Sequence, residues 1–259
     1  MMNKKIAVLG TGANGSSVAA DLTSNGLDVK LIDQWPEHVE KMRKDGLKIE
    51  MPNRTLETNV DAFHLCDVAT FSDKFDIVLL FVKAYDTAWA CELIKPYLKD
   101  DGILVGVQNC MMAELISDIV GANRTIGCVA ELSSELFNPG EIKRNTPPEG
   151  TWFGLGALSP EMVNRIPEVE EVLKFSGKVG ISEQILSAKF MKLVVNVMGM
   201  GMKAIGDMMP SEAYAIEGMK DVMLQAGEEA LKVGEGLGYK LEPIMGLSKE
   251  DIDSSNRVH

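Results

Sequence analysis

The chain has 259 residues, 46% of them hydrophobic and 25% charged, which suits one large or two modest domains with a packed core and excludes a disordered chain. Lys and Arg number 26 against 38 Asp and Glu, a formal charge of −12; with no basic cluster, this argues against nucleic-acid binding through phosphate neutralisation. The cysteines (Cys66, Cys91, Cys110, Cys128) lie far apart with no C-x-x-C pair, and His38, His64 and His259 are scattered, so neither a zinc site nor a disulfide framework is expected.

The first apolar run, Ile6 to Leu9, is too short for a signal-peptide core. Leu193 to Met202, broken by Asn196, falls short of the ~18 residues a membrane span needs. The expectation is a soluble, cytoplasmic protein with no membrane partner.

In chain order, Ile6–Leu9 reads as a strand, Ser16–Ser24 as a helix, Val29–Ile32 as a strand, and Pro36–Lys44 as a helix ending before Gly46. Ile77–Val82 and Ile103–Val107 are continuous apolar runs of the kind buried on both faces of a parallel sheet, with a helix over Thr87–Leu98 between them. Thr125–Leu132, Glu141–Arg144 and Trp152–Leu155 follow as strands. The turn clusters at Asn138–Gly140 and Pro147–Gly150 suggest hairpins on an antiparallel extension of the same sheet. Beyond Ser182 the pattern is helical, over Glu183–Ile205 and Ser211–Leu237. The predicted division is a dinucleotide-binding domain over 1–180 and a smaller helical domain over 181–259. Met198, Met200, Met202, Met208 and Met209 fit a methionine-lined core or a subunit interface, and hence a homodimer.

Gly10-Thr11-Gly12-Ala13-Asn14-Gly15 directly follows the first strand and opens the first helix, the context a G-x-G-x-x-G fingerprint requires. Gly10 permits the tight turn, Gly12 lets backbone approach a pyrophosphate, and Gly15 lets helix and strand pack closely. Free N–H groups at the helix start can hold the anion without a basic side chain, which reconciles an acidic protein with an anionic ligand. Asp33, 18 residues after Gly15 at the end of the second strand, can accept from the adenosine ribose hydroxyls and repel a 2′-phosphate. NAD(H) is therefore favoured, with NADP(H) possible because Gln34, Arg43 or Lys44 can reach a phosphate. The other role open to Asp33 is capping the turn that follows. S-adenosylmethionine enzymes share a glycine turn and an acidic residue, so these two features alone do not fix the cofactor.

Val82-Lys83-Ala84-Tyr85-Asp86-Thr87 and Gln108-Asn109 stand at carboxyl ends of buried strands, the edge where ligands bind in open α/β sheets. Lys83 and Asn109 are candidates for cofactor and substrate contact, with a solvated lysine and a turn asparagine as the plain alternatives. Lys192 and Asn196, four residues apart, share a helix face among apolar neighbours. Such a lysine can donate a proton or polarise a carbonyl; the alternative is that it snorkels to the surface while Asn196 ties two helices together.

In order and separation, Gly10 to Gly15, Val82 to Thr87, Gln108-Asn109 and Lys192-x-x-x-Asn196 resemble the ketopantoate reductase (2-dehydropantoate 2-reductase) family, as does the Glu228-Glu229 pair before Gly238. The resemblance implies an α/β Rossmann-type doubly wound sheet followed by an all-helical domain, with a nicotinamide bound in the cleft between them. It implies reduction of a 2-keto acid, 2-dehydropantoate or similar, typically with NADPH. By position, Lys192 becomes the general acid and Asn196 holds substrate. Asn109 sits by the nicotinamide ribose and substrate, and Lys83 lines the cofactor cleft. Three positions depart from the family pattern: Met200 stands where a second asparagine is common, Cys110 replaces the glycine of Gln-Asn-Gly, and Asp33 replaces a small-residue or arginine pattern. Similar proteins continue past the Ser254–His259 ending with helices carrying a serine and a glutamate that hold substrate. The expectation is thus a truncated or reduced active site with weak turnover. Two other functions remain open on the sequence: a non-catalytic dinucleotide-binding protein, and an enzyme like the 3-hydroxyacid dehydrogenases.

Overall fold

The computed structural model describes residues 4–241 and 248–252. They fall into two compact units. The first comprises the chain up to Gln108 together with Met112–Glu183; the second comprises Asn109–Met111 and the chain from Gln184 onward.

The first unit is built on an eight-stranded sheet. Its first two strands, β1 (Lys5–Leu9) and β2 (Asp28–Asp33), are joined through helix α1 (Ala13–Ser24). Helix α2 (Pro36–Asp45) leads to β3 (Leu47–Glu50), β4 (Thr55–Thr58) and β5 (Asp61–His64). Next come β6 (Phe75–Leu80), α3 (Thr87–Ile94), β7 (Leu98–Gly106), α4 (Ala113–Val120) and β8 (Thr125–Glu131). After β9 (Ser134–Asn138) and β10 (Glu141–Arg144), β11 (Trp152–Ala157), α5 (Pro160–Val163), α6 (Ile166–Leu173) and β12 (Lys178–Ile181) complete the unit.

The strand order is β12-β11-β8-β7-β6-β1-β2-β5. The six strands from β5 to β8 run parallel, and β11, paired with β12, runs antiparallel to β8. Side chains alternate across the pleat: Ile6 and Val8 enter one buried cluster with α1 and α6, while Ala7 and Leu9 enter another with α3 and α4. This two-faced burial explains the continuous apolar runs of β6 and β7.

The expected antiparallel extension needs correction. β8 is a parallel member of the main sheet, and only β11 turns against it. β10 belongs to a separate four-stranded sheet, β4-β3-β10-β9, in which it pairs parallel with β3 and antiparallel with β9. This second sheet packs on the outer side of α1, so Gly15 through Leu22 are all buried. The helix expected over Thr87–Leu98 ends at Ile94, where Pro96 forces a short 3-10 turn before β7.

In the second unit, α7 (Ile185–Asn196) continues through a π-helical turn, Val197–Gly201, into α8 (Met202–Gly206). Two glycines inside that turn weaken the regular ladder. This run, Ile185–Gly206, is 22 residues and by length and composition alone could cross a membrane, longer than the Leu193–Met202 stretch within it; it is partly buried within the protein. The helix expected over Ser211–Leu237 is interrupted at Ile216–Gly218, where Gly218 has φ +78°. It forms α9 (Pro210–Ala215) and α10 (Met219–Gly236). The last described helix is α11 (Lys249–Ile252).

Within this unit α10 lies close to α7. A Cβ at Gly234 would stand 2.5 Å from the Phe190 ring, and one at Gly227 would stand 2.7 Å from Met198. The Phe190 ring also stacks on Tyr239 at 5.0 Å. Met198 is thus a packing residue, while Met200 and Met209 are exposed. The side chain of Met202 lies outside the described residues.

Candidate functional site

At the carboxyl end of β1 the chain turns sharply. Gly10 has φ +90°, its N–H donates to the Ile32 carbonyl at 2.9 Å, and an added Cβ would meet the Val82 nitrogen at 2.7 Å. At Gly15 a Cβ would stand 2.2 Å from the Gly10 carbonyl oxygen, so helix and strand meet there at backbone contact. Gly12 has nothing within 4 Å on its Cβ side. The Ser16 N–H is the first to close a turn, onto the Gly12 carbonyl at 2.8 Å. The amides of Ala13, Asn14 and Gly15 therefore precede the helical ladder at the positive end of α1.

The turn faces a cavity of roughly 310 Å³, large enough for a small ligand. Gly10, Gly12, Asp33, Trp35, Val82 and Lys83 line it, with Tyr85 and Trp89 also on its wall. Asp33, 8% exposed, accepts the Thr11 hydroxyl at 3.3 Å on Oδ2 and the Trp35 N–H at 2.9 Å on Oδ1. It therefore does cap the turn after β2, yet a carboxylate carries about four lone-pair sites, and capacity remains on its cavity side. Gln34 also lines the cavity, whereas Arg43 is engaged by Glu40, Asp67 and the Ala62 carbonyl, and neither it nor Lys44 is part of the wall.

The segment after β6 is held from beneath. Gln108, buried at the end of β7, donates through Nε2 to Thr87 Oγ1 at 2.7 Å, and Thr87 donates to the Ala84 carbonyl at 2.8 Å. That fixes the loop from which exposed Lys83 reaches the cavity wall. The first unit therefore brings together Gly10, Thr11, Gly12, Ala13, Asn14, Gly15, Asp33 and Lys83.

The remaining candidates belong to the second unit. Asn109 is exposed, and Cys110 beside it has φ +70°, a left-handed conformation that glycine adopts without strain. On α7, Lys192 and Asn196 are one helical turn apart and both half-buried; Lys189 is the more deeply buried lysine, 3% exposed.

One residue of the cavity's surroundings escaped the sequence reading. His38 on α2 is fully buried and bonded to Thr11 of the glycine turn. Its place beside the apolar pair Val39 and Met42 marks the inner face of α2, but nothing in the spacing ties it to the turn.

A family model described as Ketopantoate reductase PanE/ApbA matches residues 6–157. The chain belongs to the ketopantoate reductase family. This family consists of oxidoreductases with an NAD(P)-binding fold. The 2-dehydropantoate 2-reductase of Pyrococcus horikoshii is 28% identical over 253 residues, covering 93% of this chain and 77% of its own. That of Lactococcus lactis is 28% identical over 187 residues, 72% of this chain; this stretch is 56% of its own length, little more than half of that relative. Among solved structures, D-mandelate dehydrogenase in a ternary complex with NADH and anilino(oxo)acetate has the same fold, with a TM-score of 0.85 and 23% identity, covering 92% of this chain and 76% of that one. The ketopantoate reductase model stops short of α7, so Lys192 and Asn196 lie beyond the residues it matches.

Proposed function

We propose that the chain binds NAD(H) at the glycine turn and reduces a 2-keto acid, 2-dehydropantoate or one similar. The observation that carries this reading is Gly12: a backbone with open space on its Cβ side, at the start of α1, facing a cavity with a carboxylate on its wall. The residues fit a dinucleotide. Ala13, Asn14 and Gly15 offer amides to a pyrophosphate, Asp33 offers acceptors to the ribose diol, and Trp35, Tyr85 and Trp89 offer apolar surface to a base. NADH is preferred over NADPH because Asp33 and Asp86 both line the cavity, and Lys83 is the cation among the lining residues. The NADH held by the D-mandelate dehydrogenase neighbour supports the same choice.

When bound, the nicotinamide supplies a hydride. Lys192 donates the proton to the keto oxygen, where negative charge builds as the carbonyl carbon is reduced and an ammonium is worth most. Asn196, one turn further along α7, holds the substrate, Asn109 serves the ribose and substrate, and Lys83 lies along the cofactor. Residues 181–259 act as the substrate domain, and a homodimer through it would cover exposed Met200 and Met209.

The test is oxidation of NADH followed at saturating cofactor, with 2-dehydropantoate and with other 2-keto acids. Turnover should require the keto acid, and Lys192→Ala should lower kcat by about 10²–10⁴ while leaving the Kd for NADH within about twofold. NADH binding with no turnover on any 2-keto acid would make this a non-catalytic nucleotide binder. An unchanged kcat in Lys192→Ala, with loss in Lys189→Ala or Lys83→Ala, would move the proton to another lysine.

A further inference from the structure

The chemistry just described makes no use of His38, which is 0% exposed and held by partners from three segments. The Gly140 N–H, in the β9–β10 hairpin, points at Nδ1 from 2.9 Å. Nε2 stands 2.9 Å from the Thr11 carbonyl oxygen and 3.2 Å from Ser16 Oγ, and the ring stacks on Trp35 with centroids 5.7 Å apart. A backbone N–H can only donate, so Nδ1 must carry the lone pair; a carbonyl can only accept, so Nε2 must carry the proton. Two backbone groups thus select one neutral tautomer.

The consequence lies one peptide plane away. In a trans peptide the C=O and the next N–H point in opposite directions. The Thr11 carbonyl is drawn inward by His38 and by the Ser16 hydroxyl, which donates to it at 2.5 Å. The Gly12 N–H is therefore turned the other way, out of the buried layer. We propose that His38, as the neutral Nε2–H tautomer, is a positioning residue for nucleotide binding: it holds the Thr11–Gly12 peptide so that the Gly12 amide is presented to the ligand's phosphates. This rests on the dinucleotide reading above. It also makes the second sheet a brace for the turn, since Gly140 holds the ring that holds Thr11.

The device is pH-sensitive. A charged ring would present a donor at Nδ1 to the Gly140 donor, breaking the brace. Asp33 at the end of β2 favours that charged form. The hairpin contributes exposed Glu141, and α2 contributes Lys41, which pairs with Asp45 and packs its stem near Gly140. Residues 10–16 of the turn carry no ionisable side chain. Burial outweighs Asp33 and the Thr11 hydrogen bond and holds the ring below its ordinary value, so the brace is intact at neutral pH and fails on acidification.

The experiment titrates ADP-ribose into the full chain and into His38→Gln and His38→Asn, by calorimetry between about pH 5 and pH 8. A glutamine amide can occupy the Nε2 place and donate to Thr11; the shorter asparagine can replace only the Nδ1 acceptor. At pH 8, His38→Gln should stay within about threefold of the unmodified protein, while His38→Asn should lose about tenfold, the worth of one hydrogen bond. The unmodified protein should bind more weakly as pH falls from neutral toward the acidic end of the range, a loss that His38→Gln does not share. Nitrogen NMR of labelled histidine in the unmodified chain should show His38 protonated at Nε2 alone at pH 7, a reading independent of any variant's folding. The opposite tautomer, a charged ring at pH 7, His38→Asn binding like the unmodified protein, or His38→Gln losing as much as His38→Asn would each overturn the inference. If the unmodified chain bound no ADP-ribose at pH 8, the dinucleotide reading would fall and the inference with it; binding by the unmodified chain and His38→Asn alike would remove the inference alone.

Discussion

A carboxylate already bonded to the Thr11 hydroxyl and the Trp35 N–H is fixed in place before any ligand arrives, and this is what makes Asp33 a selective group. A 2′-phosphate brought against it would meet a charge that cannot swing away, in a site where burial weakens solvent screening. NADH should therefore bind more tightly than NADPH. Asp33→Asn keeps an acceptor for the Trp35 N–H but removes the charge; it should weaken NADH by about tenfold, as loss of a charged hydrogen bond does, and strengthen NADPH. Fluorescence titration with both cofactors reads the ratio, and an NADPH preference in the unmodified protein would refute the assignment. Cys110 shows how little a single letter reveals. The departure from glycine was visible in the sequence, but its meaning depends on φ +70°, which only the folded backbone displays. His38 was harder still: its partners lie 27 and 102 positions away, at separations no local pattern encodes.

At the scale of elements, the three glycines of the turn differ in what a methyl group would meet. Gly15→Ala puts a carbon 2.2 Å from the Gly10 carbonyl oxygen, where only backbone movement can relieve it, and should cost about 1–3 kcal/mol in stability. Gly12→Ala meets nothing within 4 Å and should melt close to the unmodified protein, yet weaken NADH by occupying the space a pyrophosphate needs. Thermal melts paired with NADH titrations separate the two, and equal losses of stability would show that Gly12 is structural. This turn was legible because strand, turn and helix are contiguous and each glycine has a local reason. The second sheet was not, because β3 and β10 are parallel neighbours drawn from segments about 90 residues apart, and β3, β4 and β9 are short and mostly polar. Trp152–Leu155 was recognisable as a strand from its apolar run, but its direction depends on which strand it meets. The helices of the second unit were found by period, and their interruptions fell at glycine-containing segments that periodicity passes over.

Across the whole first unit, a buried ion pair adds to the packing that ties the second sheet to α1. Arg144, at the end of β10, is 0% exposed and donates to Asp21 on α1, to the Thr146 carbonyl at 2.7 Å, to Thr151 Oγ1 at 3.0 Å and to the Ser176 carbonyl at 3.0 Å. Ser176 completes the set by donating to Asp21 at 2.5 Å. Well-packed apolar residues in place of both charges can match such a pair, so its presence is weak evidence of net stabilisation; removing one partner is a different matter. Arg144→Met leaves Asp21 buried without its cation and should cost about 3–5 kcal/mol, whereas Asp21→Leu with Arg144→Met should recover much of that loss. The pH dependence distinguishes this from simple loss of packing. Burial already pushes the Asp21 carboxyl up, and Arg144 is the largest of the influences that pull it down. In Arg144→Met the carboxyl rises further, so the folded state binds a proton that the unfolded state releases, and stability falls as pH rises from the ordinary aspartate value through the raised one. The penalty of Arg144→Met, measured against the unmodified protein by denaturant titration, should therefore shrink as pH falls toward about 4 and grow as pH rises toward neutral. A penalty constant with pH would mean that Arg144 contributes volume and hydrogen bonds to neutral groups rather than the charge that Asp21 requires.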